Sequence, residues 1–175
     1  MVLHELTTSP QLKTLHSRQL DVGFIHPPLD DDTLICEIIH RDPLVVILPQ
    51  HHKLASRKRI PMRLLADEPF ILPPYTRAYG ARDQIIRMCQ NASFVPHVIQ
   101  EADQIVTIAS LVAAGIGISI VPISAQTLRE QGVVYRPIRD QTVMRDLAIA
   151  WHVDNHSTVL QAFLEVVRAH PRQQE

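Results

Sequence analysis

Short apolar runs alternate with helical patterns along almost the whole chain. Nine runs are rich in β-branched residues and bounded by Pro, Gly or Asp, which predicts strands. They are Val2–Leu6, Asp21–Ile25, Leu34–Ile39, Leu44–Leu48, Phe70–Leu72, Val95–Gln100, Ile118–Val121, Val133–Tyr135 and Leu147–Trp151. Strands that alternate with helices predict an α/β fold with largely parallel strands.

Helix starts have their own signals. Ser9 followed by Pro10 predicts an N-cap and the first helical position. Thr158 with Gln161 three positions on predicts a capping box. Periodicity predicts further helices over Ala81–Gln90 and Gln104–Ala114, with a short one over Ala125–Gln131.

No Gly/Ser linker divides the chain, but two polar segments fall between strand-like runs. These are Arg41–Pro43 and Arg139–Asp146. We interpret both as passages between two lobes. One lobe would then be built from both ends of the chain and the other from its middle.

The stretch IVTIASLVAAGIGISIVP, residues 105–122, carries no charge. A membrane span, a glycine-rich phosphate loop and a buried helix–turn–strand are the alternatives. Gly115 and Gly117 interrupt the run at the point where helix-like residues give way to β-branched ones, which favours a helix, a glycine stop and a strand. A dinucleotide fingerprint would instead lie between a strand and a helix and would have a third glycine.

Composition narrows the function classes. The 175 residues are 46% hydrophobic and 20% charged, with a net charge of −1, which is typical of a globular protein without a basic nucleic-acid face. The basic residues around His51–Lys53 and Arg57–Arg59 are interpreted as a solvated loop. Cys36 and Cys89 form no paired motif, and the first residues lack a secretory pattern, so a cytoplasmic protein is predicted.

Catalytic and metal motifs are not found. The ten histidines fall in no zinc-type spacing, and there is neither a nucleophile elbow nor a Walker phosphate loop. Cys89 lies on the apolar side of its helix with Ile85 and Ile86, which predicts an inert core residue. We therefore expect no enzyme activity, no metal and no cofactor.

Several predicted helices begin with small polar residues just after a strand. The sets are Thr7, Thr8 and Ser9; Thr76 and Tyr79; Asp103 and Gln104; and Ser124. The carboxyl ends of parallel strands bind ligands, and helix N-termini favour anions. Each set could instead be an ordinary cap, so convergence on one cleft would decide between the two. His26 could add a positive group there.

Six segments, in order along the chain, resemble the effector-binding domain of LysR-type transcriptional regulators. They are LDVGFIHPP (20–28), PLVVILPQHHKLA (43–55), LADEPFILPP (65–74), TIASLVAAGIGISIVP (107–122), GVVYRPI (132–138) and LAIAWH (147–152). The style is closest to regulators of aromatic-compound degradation, which sense muconate-like or benzoate-like acids.

The resemblance implies an α/β fold of two Rossmann-like lobes joined by two crossover strands, like a type 2 periplasmic binding protein. Lobe I would comprise residues 1–41 and 144–175, and lobe II residues 42–143. The effector would bind between the lobes. The residues expected to contact it are Thr7, Thr8, His26, Pro74, Tyr75, Thr76, Tyr79, Asp103, Gln104, Ile105 and Leu147.

The resemblance also implies partners. These are a small organic acid, aromatic or dicarboxylic, and a second copy of the chain, with a tetramer in the full-length protein. DNA would be bound only through an N-terminal helix-turn-helix that this chain lacks, and no membrane is involved. Because the family domain normally starts with a strand and helix before the position of Met1, we expect a truncated lobe I.

Three alternatives remain open from the sequence. A solute-binding protein of a transporter shares the architecture, and a signal peptide would support it. An enzyme on an α/β fold would need a strongly perturbed catalytic group. A protein-interaction module would have a cleft filled by its own side chains.

Overall fold

The computed structural model describes residues 2–29, 31–75 and 80–169. The chain divides into two compact units, residues 1–41 with 146–175 and residues 42–145. It passes between them inside two long strands, β2 (Leu34–Pro49) and β7 (Met144–His152). Each unit has its own apolar clusters.

The first unit contains α1 (Thr8–His16), β1 (Gly23–Ile25) and α4 (Thr158–Ala169), with parts of β2 and β7. β1 pairs antiparallel with β7, with Ile25 opposite Ala148. Side chains of β7 alternate between two clusters, as a strand of period two requires. Ala148 and Ala150 pack with Leu15 of α1, whereas Ile149 and Trp151 pack with Leu160 and Leu164 of α4.

The second unit is built around the later part of β2. Its elements are β3 (Pro69–Leu72), α2 (Ala81–Asn91), β4 (His97–Glu101), α3 (Ile105–Ala113), β5 (Ser119–Pro122) and β6 (Val133–Pro137). β5 and β6 both pair antiparallel with β2. β3 and β4 pair in parallel, joined by α2. One buried cluster includes residues of α2, and the other includes residues of α3.

The uncharged stretch has the predicted form. α3 ends at Ala113, Gly115 adopts φ 77°, and β5 begins at Ser119. The prediction of helix, glycine stop and strand is confirmed. Across the described ranges, no helix has both the length and the apolar character that crossing a bilayer demands.

The predicted strand Val2–Leu6 is wrong. These residues have no regular structure and are exposed. Five residues with an apolar–polar pattern satisfy the strand signal, but a strand also needs a partner for its backbone groups and a face to bury. Val2 and Leu3 bury little of their apolar surface.

The polar segment Arg41–Pro43 does not separate two strands. Predicted strands Leu34–Ile39 and Leu44–Leu48 are parts of the single strand β2. Asp42 is buried, and its Oδ1 accepts a hydrogen bond from the backbone N–H of Ser124 at 3.2 Å. A paired carboxylate can occupy a buried strand position without ending the strand.

The expectation of largely parallel strands is also wrong for the described pairs. β3–β4 and the isolated bridges Ile60–Ile138 and Phe70–Ile118 are parallel, whereas β1–β7, β2–β5 and β2–β6 are antiparallel. A helix between two strands favours parallel pairing only when those two strands become neighbours. β2 instead pairs with strands far along the chain, and the order of elements does not reveal this.

Helix boundaries differ from the predicted caps. Thr7, and not Ser9, is the N-cap of α1. At α4 the hydroxyl oxygen of Ser157 accepts the N–H of Leu160 at 3.2 Å, so the predicted capping box at Thr158 is wrong by one residue. The predicted helix Ala125–Gln131 is a 3₁₀ segment, Ile123–Leu128, which ends at Arg129 with φ 52°. A positive φ stops the chain from continuing as a helix.

The basic loop is only partly solvated. His51 is exposed, but His52 Nε2 lies 3.2 Å from Glu68 Oε2, and Lys53 Nζ lies 2.8 Å from Glu68 Oε1. The Glu68 side chain is 10% exposed. The interpretation of His52 as a solvated residue is therefore wrong, because a buried carboxylate requires such partners.

Candidate functional site

The first turn of α1 presents a hydroxyl at the positive end of a helix. Thr8 is buried, and its Oγ1 accepts the backbone N–H of His26 at 3.4 Å. The Thr7 side chain makes no capping hydrogen bond, and the first turn contains no acidic residue. Helix N-terminal N–H groups and the helix dipole favour an anion at such a position.

His26 is held in place from the opposite side. Its Nδ1 lies 2.8 Å from the backbone carbonyl oxygen of Asp146 at the beginning of β7. A carbonyl can only accept, so Nδ1 carries the proton in this hydrogen bond. His26 thus connects the first turn of α1 to β7 within the first unit.

Asp146 is a residue that the sequence analysis did not assign to the site. It lies two positions before Ala148, so strand alternation places it on the α1 face of β7. Its Oδ1 is buried and has no hydrogen-bond partner within the described residues. One feature of the sequence could have indicated Asp146: it is a charged residue spaced by two from Ala148 and Ala150, which are buried.

Leu147 follows the opposite phase of β7. It is half-buried and in register with Ile149 and Trp151, which pack toward α4. Alternation therefore does not bring Leu147 to the same face as Thr8. Within the first unit, the structure brings together Thr8 and His26 among the predicted residues.

In the second unit, the residues predicted to bind the effector follow the carboxyl ends of two neighbouring parallel strands, β3 and β4. Leu72 of β3 is opposite Glu101 of β4, and the N–H of Ala102 donates to the Leu72 carbonyl at 3.1 Å. Pro74 is half-buried and Tyr75 is exposed. Thr76 and Tyr79 lie outside the described residues. The carboxyl edge of parallel strands is where α/β proteins bind ligands.

The start of α3 follows directly from β4. Gln104 is the N-cap of α3 and makes no side-chain capping bond, whereas Asp103 is half-buried. Gln104 and Ile105 are exposed. This N-terminus follows the carboxyl end of β4, where the N–H of Ala102 bonds to the last residue of β3.

Arg82 and Arg145 are cations at this edge that the sequence analysis did not single out. Arg82 Nη1 donates to the Pro73 carbonyl at 2.8 Å and to Glu101 Oε1 at 2.6 Å, which fixes the end of β3. Arg145 Nη1 lies 3.7 Å from the position of a Cβ on Gly80, the N-cap of α2. Burial lowers the pKa of the Arg145 guanidinium.

The thiol of Cys89 lies in the hydrophobic core of the second unit. Cys89 is fully buried with Ile85 and Met88, and burial raises the pKa of its thiol to about 12. Its predicted role as an inert core residue is confirmed. Throughout residues 2–29, 31–75 and 80–169, no three His, Cys, Asp or Glu side chains are grouped to hold a metal ion.

Comparison with known proteins identifies the family. Residues 1–172 match the LysR substrate binding domain. The chain is 33% identical over 164 residues to the transcriptional regulator AlsR of Bacillus subtilis, covering 94% of this chain and 54% of AlsR. The chain thus spans about half the length of the curated relatives it matches.

Solved structures show the same fold. A variant of the BenM effector-binding domain superposes with a TM-score of 0.86 at 26% identity, covering 95% of this chain and 78% of that chain. The BenM effector-binding domain with its effector benzoate gives a TM-score of 0.83 at 26% identity, covering 95% and 76%.

These neighbours are LysR effector-binding domains and have the two-lobe, type 2 periplasmic-binding-protein-like α/β fold. The predicted fold class and the predicted resemblance are both confirmed. The chain belongs to the LysR substrate-binding domain family.

Proposed function

We propose that this chain is the ligand-sensing domain of a bacterial LysR-type transcription factor and binds a small organic acid, aromatic or dicarboxylic. The observation that carries the proposal is the buried Thr8 hydroxyl at the N-terminus of α1. A hydroxyl donor and the N–H groups at a helix N-terminus together suit a carboxylate.

The likeness to the benzoate-bound BenM domain supports an acid as the effector. Benzoate is the effector of BenM, and its carboxylate is the kind of group that Thr8 and α1 can hold. Pro74, Tyr75 and Ile105 supply apolar surface that suits a hydrocarbon part. Thr7, His26, Thr76, Tyr79, Asp103 and Gln104 complete the proposed set of contact residues.

An effector regulates by differential affinity. If it binds one arrangement of the domain more tightly than another, it shifts the population toward that arrangement. We propose that this shift reaches DNA through an N-terminal helix-turn-helix of the full-length protein, within a cytoplasmic dimer or tetramer. The curated relatives are named as transcriptional regulators, so a transporter's solute-binding protein is not favoured.

Calorimetric titration of the 175-residue chain with benzoate, muconate and succinate tests the proposal. Thr8→Val keeps the shape of the side chain but removes the hydroxyl, and we expect it to weaken binding of an acid about tenfold or more, since a hydrogen bond to a charged group is lost. Thr8→Ser should retain most of the affinity.

Thr158→Val is the matched control, because Thr158 is an exposed threonine at the start of another helix. It should bind like the unaltered chain. Equal affinity of Thr8→Val and the unaltered chain would show that Thr8 does not hold the acid.

A further inference from the structure

The buried Oδ1 of Asp146 lacks a hydrogen-bond partner among the described residues. Buried polar atoms in proteins are nearly always paired, so an unpaired carboxylate oxygen calls for an explanation. Asp42, another buried carboxylate, pairs with the Ser124 N–H. Glu68, also a buried carboxylate, has Lys53 Nζ at 2.8 Å from its Oε1. Among the described residues, no cation forms an ion pair with Asp146.

The position of Asp146 associates it with the proposed acid-binding residues. Its backbone carbonyl accepts the His26 ring N–H at 2.8 Å, and the His26 backbone N–H is held by Thr8 Oγ1. Its side chain is in phase with Ala148 and Ala150, which pack with Leu15 of α1. Asp146 and Thr8 are therefore linked through His26, on the face of β7 that α1 covers.

We propose that Asp146 is a specificity-determining residue that accepts a hydrogen bond from an O–H or N–H group of the effector. The effector would then be an acid that also carries a hydroxyl or ammonium group. This inference rests on the proposed function and narrows its ligand class.

The chemistry of the two partners explains why one ligand would use both. An ionised carboxylate only accepts hydrogen bonds, so Asp146 cannot pair with the carboxylate of the effector. The acid group belongs at Thr8 and the α1 N-terminus, where donors are available. A donor elsewhere on the same molecule would satisfy Asp146 Oδ1, whereas an unsubstituted acid would leave it unpaired and desolvated.

The test compares matched acids on the 175-residue chain by calorimetry. The pairs are benzoate against its 2-, 3- and 4-hydroxy derivatives, and succinate against malate. We expect at least one hydroxy acid to bind about ten- to a hundredfold more tightly than its parent, the range of a hydrogen bond to a charged group.

Asp146→Ala should abolish this preference, so that a hydroxy acid and its parent bind with similar affinity. A circular dichroism spectrum and a cooperative urea transition like those of the unaltered chain show that the variant is folded. Asp146→Asn keeps the shape and a neutral acceptor, so the preference should shrink without vanishing. Asp154→Ala removes an exposed carboxylate in the same unit and should change neither affinity.

Two results would contradict the inference, and they are distinguishable. If acids bind but the hydroxy preference is missing, or survives in Asp146→Ala, Asp146 does not select the ligand and the proposed function stands. If no acid of either class binds, the proposed function is wrong, and the inference fails with it.

Discussion

Ile118 donates its backbone N–H to the carbonyl oxygen of Pro69 at 2.8 Å, which joins the approach to β5 to the start of β3. Gly117 lies directly against the same carbonyl, since a Cβ there would stand 2.6 Å from Pro69 O. Gly115 has a different requirement, because its φ is 77° and nothing lies within 4 Å of its Cβ position. Gly117 is needed because a side chain would collide with the Pro69 carbonyl, and Gly115 is needed because its φ is positive.

The two glycines should respond differently to substitution. Gly117→Ala forces a methyl group into a backbone oxygen, and we expect it to lower the free energy of unfolding by about 1–3 kcal/mol. Gly115→Ala should cost about 1–2 kcal/mol through the positive φ alone, and Gly115→Asn less, because Asn tolerates this region. Urea denaturation measures all three. An unchanged stability of Gly117→Ala would contradict the close approach.

Glu68 should make stability depend on acid pH. Burial raises the pKa of its carboxyl, but hydrogen bonds from Lys53 and His52 outweigh burial and hold the pKa below its ordinary value of 4.5. A lowered pKa means that the charged form stabilises the folded state. This contribution is present above the unfolded value and is lost as the pH falls through the folded value.

Glu68→Gln should therefore destabilise the chain by about 1–3 kcal/mol near neutral pH. The difference from the unaltered chain should disappear below the folded pKa, as measured by urea denaturation across an acid pH series. Asp67→Asn, an exposed neighbour, is the control and should show little change. An equal deficit at every pH would mean that packing, and not charge, explains the effect.

The two cysteines should differ in reactivity. A thiol whose pKa is about 12 and whose surface is fully buried has almost no thiolate at pH about 8. Cys36 is half-buried, and burial raises its pKa as well. We expect iodoacetamide to label Cys36 slowly and Cys89 only after unfolding in urea, as followed by mass spectrometry. Equal labelling of both residues in the folded chain would contradict the burial of Cys89.

The N-cap of α4 can be assigned by substitution. Ser157→Ala removes the hydroxyl that accepts the Leu160 N–H, and should lower the free energy of unfolding by about 1 kcal/mol. Thr158→Ala at the next position should have a much smaller effect. Urea denaturation measures the free energy of unfolding of both variants. A larger decrease for Thr158→Ala than for Ser157→Ala would favour the capping box that the sequence pattern predicts.

Elements whose signals are local could be predicted from the sequence. α3, the glycine stop and β5 follow from a switch in residue type at Gly115 and Gly117. Strand pairing could not be predicted in the same way, because the partners of β2 lie far along the chain. The exposed Val2–Leu6 run shows that an apolar pattern alone does not supply a partner.

The candidate site also contains residues with a local sequence signal and residues without one. Thr8 and Gln104 could be singled out from the sequence as candidate site residues, because each lies at the start of a predicted helix. Asp146 is not recognisable, since its position depends on the register of β1 against β7 and on the packing of α1. The His26–Asp146 hydrogen bond joins residues 120 positions apart, and no local pattern reports such a contact.

Titration calorimetry of the unaltered 175-residue chain with a panel of aromatic, dicarboxylic and hydroxy acids tests the central claim most directly. We expect saturable binding of at least one acid with one site per chain, and a loss of that binding in Thr8→Val. Binding of no acid across the panel, or saturable binding that is indifferent to Thr8, would contradict the account.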